Sequence, residues 1–421
     1  MNILIQPGRF YFSILAILFF SSCHFTNSEN SAIELFPLDS VAAYTKTVNI
    51  PESLDSMHFY YNDMLRDVRY VKLESNNECL IGTISKVIVT PDFIVIGDFY
   101  ISNSVFFFTK QGQFAGKISV NKPSDSIRLE NIKDMTYDYD NNRIIVYDYK
   151  ANYIYQFTES GKYLNRYRSS DLSFMRFNYI GKNKFAFYEP SVNRGVGGGY
   201  NDFLLAIGDE KCNISYTAYR NDSTISSYDY NLNLPNSGET VYFCPKFSHT
   251  IYEIKNDKTT EITGKIKFNF SAKNSIIDNK SQVTTVKDLE MLTQAGHYNF
   301  DGKCFVANDV LFIELTRKTF NTGIFYSQKT GKIIGWNPIL NVQVKDTVHV
   351  SYYSYPIAST GDEFISVMDP DIIARQERTF ARIARENQLP QSPREHHLQE
   401  ILSTMNENDN PVLLFYKLKQ F

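Results

Sequence analysis

The sequence is poor in the residues that mark several protein classes. It has one Trp, 20 Gly and 14 Pro in 421 residues, which excludes a collagen-like chain and a disordered, low-complexity one. Its 43 Lys and Arg nearly balance 46 Asp and Glu, so the formal net charge is only -3. Because no basic field is present to attract phosphates, we expect no nucleic-acid partner.

Cysteine is also scarce and widely spaced. Cys79, Cys212, Cys244 and Cys304 each stand alone, without the CxxC pairs of a zinc site. In an exported chain some of them could pair as a disulfide, and the spacing leaves that pairing open. Cysteines inside apolar, strand-like runs are more typical of small buried side chains, which is the interpretation we favour.

Two other patterns invite a metal site, and both have simpler explanations. His396 and His397 are adjacent, and adjacent side chains on a helix point about 100° apart, so they cannot easily bind one ion together. Asp134, Asp138 and Asp140 lack the spacing and the distal Glu of a calcium loop, and hydrogen-bonded turns explain them. We therefore predict no metal site and no cofactor.

The amino terminus carries a targeting signal. Arg9 precedes the apolar run 10–20 (FYFSILAILFF), which is too short to span a bilayer, and Ser21 and Ser22 then lead directly into Cys23. This order resembles the lipobox of bacterial lipoproteins, in which cleavage leaves an acylated cysteine as the first residue. An ordinary secretory signal with a chance cysteine is the alternative.

The lipobox resemblance implies a signal peptide over residues 1–22 and a lipid anchor with its tether over residues 23–60. Acyl chains such as palmitate on Cys23 would hold the protein at the outer membrane, since each buried CH₂ contributes about 0.8 kcal/mol. The membrane is the only partner that this segment implies. Whether the protein faces the periplasm or the cell surface stays open, as does its oligomeric state.

Aromatic residues are abundant, with 32 Phe and 29 Tyr, and they recur in a repeated hairpin. The clearest copies are residues 105–118 (VFFFTKQGQFAGKI), 153–167 (YIYQFTESGKYLNRY) and 323–336 (GIFYSQKTGKIIGW). Each copy closes its turn with a glycine, Gly112, Gly161 or Gly331, at the position where a positive φ is needed. A further strand pair precedes each hairpin, so the repeating unit has four strands.

These units predict an all-β fold, a β-propeller of four-stranded antiparallel blades over residues 61–421. The 357 residues from Leu65 to Phe421 give about 60 per unit when divided into six, so we expect a six-bladed β-propeller. We expect the first strand, residues 68–73, to complete the last blade beside residues 412–417, because a propeller must join its ends to remove an open edge. Short helical insertions are expected in the last two blades. Helical spacing of apolar residues places them at residues 283–294, 372–383 and 397–405.

Three segments carry a likeness to a known family: residues 71–84 (VKLESNNECLIGTI), the Phe-Thr-Xaa-Xaa-Gly hairpins, and residues 409–413 (DNPVL). Together they resemble the six-bladed propeller lipoproteins of Bacteroidetes, which are similar to NHL propellers. The resemblance covers the chain from about Leu65 onward. It implies a fold and a compartment, and it supplies no catalytic residues.

Four residues are candidates for ligand binding. Arg194 and Tyr200 flank a segment with four glycines (RGVGGGY), where the backbone can approach a ligand closely, and a mobile loop is the alternative. Tyr353 (in VSYYSY) offers a face for a sugar or a peptide, although packing between blades uses such residues too. His249 could face the channel, and a satisfied polar group is the alternative there.

No nucleophile elbow or paired-carboxylate motif is present, so whether the chain is an enzyme stays uncertain, and a binding role is favoured. We predict a lipid-anchored envelope module that binds a glycan, a peptide or a partner protein. The alternative is a metal-assisted hydrolase or lactonase, or a lyase, with its site at the channel mouth. A third hypothesis is a structural subunit that docks through residues 369–408, if Ile373, Phe380 and Ile383 form an exposed stripe.

Overall fold

The aromatic and β-branched runs form strands along the whole chain, because such side chains favour a pleated, buried backbone. The structure is a computed structural model. It describes residues 34–35, 44–52, 54, 64–120, 127–169, 172–192, 203–220, 234–245, 248–256, 260–270, 275–276, 283–318, 320–336, 343–344, 347–348, 355–386, 388 and 396–421.

The strands group into six antiparallel sheets, the blades, numbered here in chain order. Three strands precede the first blade: β1 (Glu34–Leu35), β2 (Thr45–Ile50) and β3 (Leu65–Lys72). Blade 1 contains β4 (Lys86–Val89), β5 (Phe93–Asp98), β6 (Ser104–Thr109) and β7 (Phe114–Ser119). Blade 2 contains β8 (Ile132–Asp138), β9 (Arg143–Asp148), β10 (Tyr153–Thr158) and β11 (Tyr163–Arg168).

The next two blades carry additional short strands. The strands around blade 3 are β12 (Leu172–Ser173), β13 (Arg176–Gly181), β14 (Lys184–Tyr188), β15 (Ser191–Val192), β16 (Phe203–Asp209) and β17 (Ile214–Arg220). β12 and β15 pair with each other, and the other four form the blade. Blade 4 contains β18 (Asn236–Ser237), β19 (Thr240–Phe243), β20 (Thr250–Asn256) and β21 (Thr260–Phe270).

The last third of the chain supplies blades 5 and 6. Blade 5 contains β22 (Asn299–Ala307), β23 (Val310–Arg317), β24 (Phe320–Ser327) and β25 (Ile333–Trp336). A two-stranded sheet, β26 (Gln343–Val344) and β27 (Thr347–Val348), follows. Blade 6 takes β28 (Ala358–Ser359), β29 (Phe364–Met368) and β30 (Val412–Leu418) from this region. The predicted six-bladed propeller of four-stranded antiparallel blades is confirmed.

The predicted helical insertions are also present. Val286–Gln294 lies between β21 and β22, and Pro370–Glu386 and His396–Ser403 lie between β29 and β30. The first helix begins with a capping box, in which Thr285 and Asp288 satisfy each other's backbone N–H groups. Among the residues that the structure describes, no helix combines the length and apolar character needed to cross a bilayer.

The ring of blades closes in blade 6, whose fourth strand is β3, from the start of the propeller sequence. β3 pairs antiparallel with β30, from Leu65 opposite Leu418 to Lys72 opposite Val412, so the order in this blade is β28-β29-β30-β3. This confirms the predicted pairing of the first strand with the last. The contact joins residues more than 300 positions apart and leaves no open edge between blades 6 and 1.

A buried asparagine stabilises this closure through hydrogen bonds. Asn410 is 1% exposed and immediately precedes the segment that enters β30. Its Nδ2 donates to the backbone oxygens of Glu74 at 2.6 Å and Cys79 at 2.8 Å, and its Oδ1 accepts from the Ile81 backbone N–H at 2.9 Å. The two motifs that carry the family likeness, around residues 71–84 and 409–413, therefore bind each other across the junction.

Both faces of each blade are buried against neighbouring blades, which explains the aromatic runs. Successive strand residues point to opposite faces. In β6, Phe106 and Phe108 therefore pack in the cluster between blades 6 and 1, and Phe107 packs between blades 1 and 2. All three are fully buried. One such cluster occupies each of the six junctions between blades.

The segment before β3 contributes to two blades. β1 pairs in parallel with β17 of blade 3, and β2 pairs in parallel with β21 of blade 4. Val48 and Ile50 on β2 are buried in the cluster between blades 4 and 5. Part of the segment predicted as a tether is therefore strand, and it covers the outer edges of two blades, which would otherwise expose unpaired backbone groups.

Two smaller predictions are confirmed. Gly112, Gly161 and Gly331 have φ of 86°, 81° and 75°, as the hairpin turns require. The cysteines outside the amino-terminal signal are small buried side chains without disulfide bonds in the described part of the chain: Cys79, Cys212, Cys244 and Cys304.

Replacing Asn410 tests how much the closure contributes to stability. Asn410→Ala removes three hydrogen bonds and leaves buried backbone groups unsatisfied, so we expect the free energy of unfolding to fall by about 2–4 kcal/mol. Urea denaturation followed by circular dichroism measures the change. Asn165→Ala, on the exposed face of β11, is the control and should change it by less than about 0.5 kcal/mol. Equal effects of the two substitutions would contradict this role.

Candidate functional site

The first strand of each blade lies next to the central channel. These inner strands contact one another around the ring, with β28 against β4, β4 against β8, β8 against β13, and β22 against both β18 and β28. They enclose a cavity of about 660 Å³. This is within the range of small-molecule sites, which are typically 300–1,000 Å³.

The two mouths of the channel are different. Every blade repeats the same strand order, so all inner strands run in one direction and begin at the same mouth, here called the upper mouth. Connections between blades, and between the second and third strands of a blade, lie on that side. The opposite side carries tight hairpins, such as the turn in which Gly112 N–H donates to Thr109 O at 2.9 Å. The three helices among the described residues belong to connections of the upper side.

Exposed apolar side chains concentrate on the upper side. In the described part of the chain, eight large hydrophobic residues are exposed, and six of them lie in upper connections. These six are Leu80, Tyr100, Ile101, Tyr149, Met291 and Ile372. Tyr100 and Ile101, in the β5–β6 turn, are 70% and 69% exposed. Of these six, Tyr100 lines the channel cavity, and its exposed ring offers a contact surface for a ligand.

A repeated aspartate holds the upper turns of blades 1 and 2 in place. Asp98 ends β5, is fully buried, and accepts from the backbone N–H groups of Gly82 at 2.9 Å and Ile101 at 3.0 Å. Burial raises the pKa of this carboxyl, but the backbone donors outweigh it and hold the pKa below its usual range. Asp148 ends β9 and accepts in the same way from Asn131 at 3.1 Å and Ala151 at 3.0 Å. Tyr100, Ile101 and Tyr149 are thus presented on rigid turns.

A chain of polar contacts connects blades 1, 2 and 3 along the channel wall. Lys86 begins β4, and its Nζ lies 3.1 Å from Oδ1 of Asp134 on β8. The other carboxylate oxygen of Asp134 accepts from the Phe177 backbone N–H at 2.9 Å. Asp134 is fully buried, and Lys86 is 22% exposed in its side chain. Burial lowers the pKa of the Lys86 ammonium although the carboxylate opposes the shift.

A second chain continues from blade 2 to blade 4. The Thr136 hydroxyl bonds to Oδ1 of Asn178, and Nδ2 of Asn178 donates to the backbone oxygen of Leu234 at 2.7 Å. Nδ2 also approaches Oδ1 of Asn236 at 3.4 Å. These side chains line the cavity, but their hydrogen-bonding groups are already used to join blades. They are therefore structural members of the wall.

Arg176 also lines the cavity, but its contacts differ from those of the wall residues Thr136 and Asn178. It begins β13, and its guanidinium donates to the backbone oxygens of Met175 at 2.9 Å and Lys133 at 3.4 Å, and approaches the Tyr100 hydroxyl at 3.4 Å. Within the described residues no carboxylate lies at ion-pair distance from it. The third cation of the cavity, Lys303, is paired with Glu314.

The predicted binding residues fall into two groups. Arg194, Tyr200 and Tyr353 lie outside the described residues, as does Cys23. His249 is half-buried just before β20, with its ring 4.8 Å from that of Phe270, and it is not among the residues that line the channel cavity.

The residues that do line the upper mouth, Lys86, Arg176 and Tyr100, were not identified from the sequence. They come from three separated stretches, and only the fold brings them together. One sequence feature did point to the upper turns. An aspartate ends the second strand in consecutive repeats, Asp98 in β5 and Asp148 in β9.

The alternatives to a binding role meet specific obstacles. Asp134, Asn178, Asn236 and Glu239 line the channel from three different blades, as the enzymatic hypothesis requires. Asp134 and Asn178 are engaged in the wall. No group of three His, Cys, Asp or Glu residues arranged to hold a metal occurs in the described ranges. Asp138 accepts from the backbone N–H groups of Asp140 and Asn141 at 3.1 Å, which confirms the Asx turn. Ile373 is 5% exposed, so it does not contribute to a docking stripe.

Lys86→Met tests whether the Lys86–Asp134 pair belongs to the wall. It leaves the buried Asp134 carboxylate without its cation, and we expect the free energy of unfolding to fall by about 2–3 kcal/mol. Lys150→Met is the matched control, because Lys150 and Glu130 form an exposed pair at 3.4 Å, and should cost less than about 0.5 kcal/mol. Urea denaturation measures both. A loss for Lys86→Met no larger than the control's would show that the pair does not support the wall.

The chain has structural relatives at low sequence identity. A Bacteroides fragilis protein named as exported is similar with a TM-score of 0.65 and 17% identity, over 89% of this chain and 99% of that one. A member of the DUF4221 family from Bacteroides vulgatus has a TM-score of 0.42 and 9% identity, over 84% of this chain and 97% of that one. The likeness to the Bacteroides fragilis protein supports the fold alone. No protein with a curated description matches the chain.

The family comparison covers nearly the whole propeller. The family described as a domain of unknown function, DUF4934, matches residues 45–417. The match begins at β2 and ends within β30, so it includes the strand that covers blade 4 as well as both strands of the closure. The chain belongs to the DUF4934 family.

Proposed function

We propose that this protein is a lipid-anchored binding module of the cell envelope, and that its ligand binds at the upper mouth of the propeller. The observation that carries the proposal is the channel cavity, whose wall at the upper mouth holds the exposed ring of Tyr100 beside the guanidinium of Arg176. A concave site that combines an aromatic face with a few polar groups is typical of ligand binding.

The geometry of the upper mouth supports the same role. The cavity beneath it, about 660 Å³, has room for a small ligand or for the end of a larger one. Tyr100 offers an exposed aromatic face, and such faces stack on sugar rings and on peptide side chains. The turn that carries Tyr100 is held by the buried Asp98, so little conformational entropy is lost on binding.

The envelope location and the anchor rest on the sequence. The signal, the small residues and Cys23 follow one another as in bacterial lipoproteins, and the structural relative from Bacteroides fragilis is named as exported. Acyl chains on Cys23 would retain the protein at the outer membrane. The likeness to Bacteroidetes propeller lipoproteins, and through them to NHL propellers, is part of this proposal.

A screen with point variants tests the binding role. The full chain in detergent is applied to a glycan array and a peptide library, and each ligand found is retested with Tyr100→Ala and Ile101→Ala. We expect a tenfold or greater loss of affinity for one or both variants, as for central aromatic contacts. Leu164→Ala, an exposed aliphatic position on β11, is the control and should bind normally. Ligands that bind all variants alike would place the site elsewhere.

The anchor has a separate test. Mass spectrometry of the protein extracted from membranes should show a mature chain that begins at an acylated Cys23. Cys23→Ala should lose the acyl mass and leave the membrane fraction or remain unprocessed. An unmodified amino terminus beyond residue 23 in the wild type would contradict the anchor, and the binding proposal would be unaffected.

A further inference from the structure

We propose that the ligand of the upper mouth carries a carboxylate, which binds Arg176 while the rest of the ligand packs against Tyr100. This inference rests on the proposed binding function and specifies the chemistry of the ligand.

The first argument is the hydrogen-bonding capacity of Arg176. A guanidinium has five N–H donors in a planar fork, and carboxylates match that fork with two parallel bonds. In the structure two of the three contacts of Arg176 are long, at 3.4 Å to the Lys133 oxygen and to the Tyr100 hydroxyl. All three use Nη1 and Nη2, so Nε–H has no partner among the described residues. One edge of the fork is thus available to a ligand.

The second argument is charge balance at the upper mouth. Burial is the main cause that lowers the pKa of Lys86, and the nearby positive charge of Arg176 lowers it further. The carboxylate between their strands, Asp134, bonds to Lys86 at 3.1 Å and to a backbone N–H, so it is the counter-ion of Lys86. The other carboxylate that lines the cavity, Glu239, lies in the β18–β19 turn on the opposite side. Arg176 therefore brings a positive charge to the upper mouth with no described carboxylate at ion-pair distance. A monoanion would balance it.

The third argument is the neighbouring aromatic side chain. Tyr100 is 70% exposed, and its hydroxyl lies 3.4 Å from Arg176 Nη2. A ligand whose carboxylate reaches the guanidinium therefore brings its adjoining ring or chain against Tyr100. A flat or apolar group next to the carboxylate suits this surface best, as in an aromatic acid or an acidic sugar.

Matched pairs of ligands separate the carboxylate from the ring that carries it. Isothermal titration of the full chain in detergent, at low salt, compares D-glucuronate with D-glucose and benzoate with benzamide, with inorganic phosphate as a further probe. We expect the acid of at least one pair to bind at least tenfold more tightly than its neutral partner. Which pair responds shows whether the ligand is an acidic sugar or an aromatic acid.

Variants of Arg176 assign the effect to its guanidinium. Arg176→Gln should weaken binding of the acid roughly tenfold to a hundredfold, the range for a truncated charged hydrogen bond. Arg176→Lys keeps the charge but loses the fork, so an intermediate affinity is expected. Arg166→Gln is the control, since Arg166 lies on β11 over the ring of Tyr153 at 4.7 Å, away from the mouth. Circular dichroism confirms that each variant is folded.

Several outcomes would overturn this inference. These are equal binding of acid and neutral partners, no binding of either acid at 10 mM, tighter binding of phosphate than of the acids, or unchanged binding by folded Arg176→Gln. Failure of this inference can be distinguished from failure of the proposed binding function. A neutral ligand that is lost with Tyr100→Ala but kept with Arg176→Gln supports the binding function and refutes the carboxylate.

Discussion

The pairing of β3 with β30 is the constraint on which the ring depends. Each blade is stabilised by the blades on both sides, so an open junction would expose two apolar faces at once. The chain meets this requirement with strands from its two ends and with Asn410, whose amide joins the loop after β3 to the segment before β30. The closure also positions Ile81 and Gly82, which lead into blade 1 and the upper mouth.

Because both faces of every blade are buried, the strands need apolar side chains on both faces. A strand with one exposed face alternates apolar and polar residues, whereas a blade strand between two neighbours has no polar face. The three consecutive phenylalanines of β6 show this, since they serve two junctions. The buried polar residues of middle strands, such as Gln156 on β10 and Glu314 on β23, have hydrogen-bond partners.

The channel divides its polar residues between structure and binding. Lys86, Asp134, Thr136 and Asn178 link consecutive blades, and their hydrogen-bonding groups are largely used in doing so. Arg176 keeps donors and charge available, next to an exposed tyrosine. The same innermost strands therefore stiffen the ring and leave one cation at its mouth. Rigid strands with exposed side chains in the upper connections are how propellers generally present a site.

The sequence by itself determined the local structure of this protein. Periodic strands, turn glycines such as Gly112, and helical spacing are short-range properties, and they were enough to predict the four-stranded units and the insertions. The number of blades came from the chain length and the family resemblance, and the pairing of the first strand with the last came from the need to close the ring. These patterns did not show that β1 and β2 extend blades 3 and 4, because a parallel edge strand has no sequence signature of its own.

The site was decided only by the tertiary structure. Lys86, Asp134, Arg176 and Tyr100 come from three blades, and no spacing along the chain connects them. Whether a polar residue is engaged in the wall or available to a ligand depends on its partners from other blades. Those partners are brought within hydrogen-bonding distance only when the ring closes.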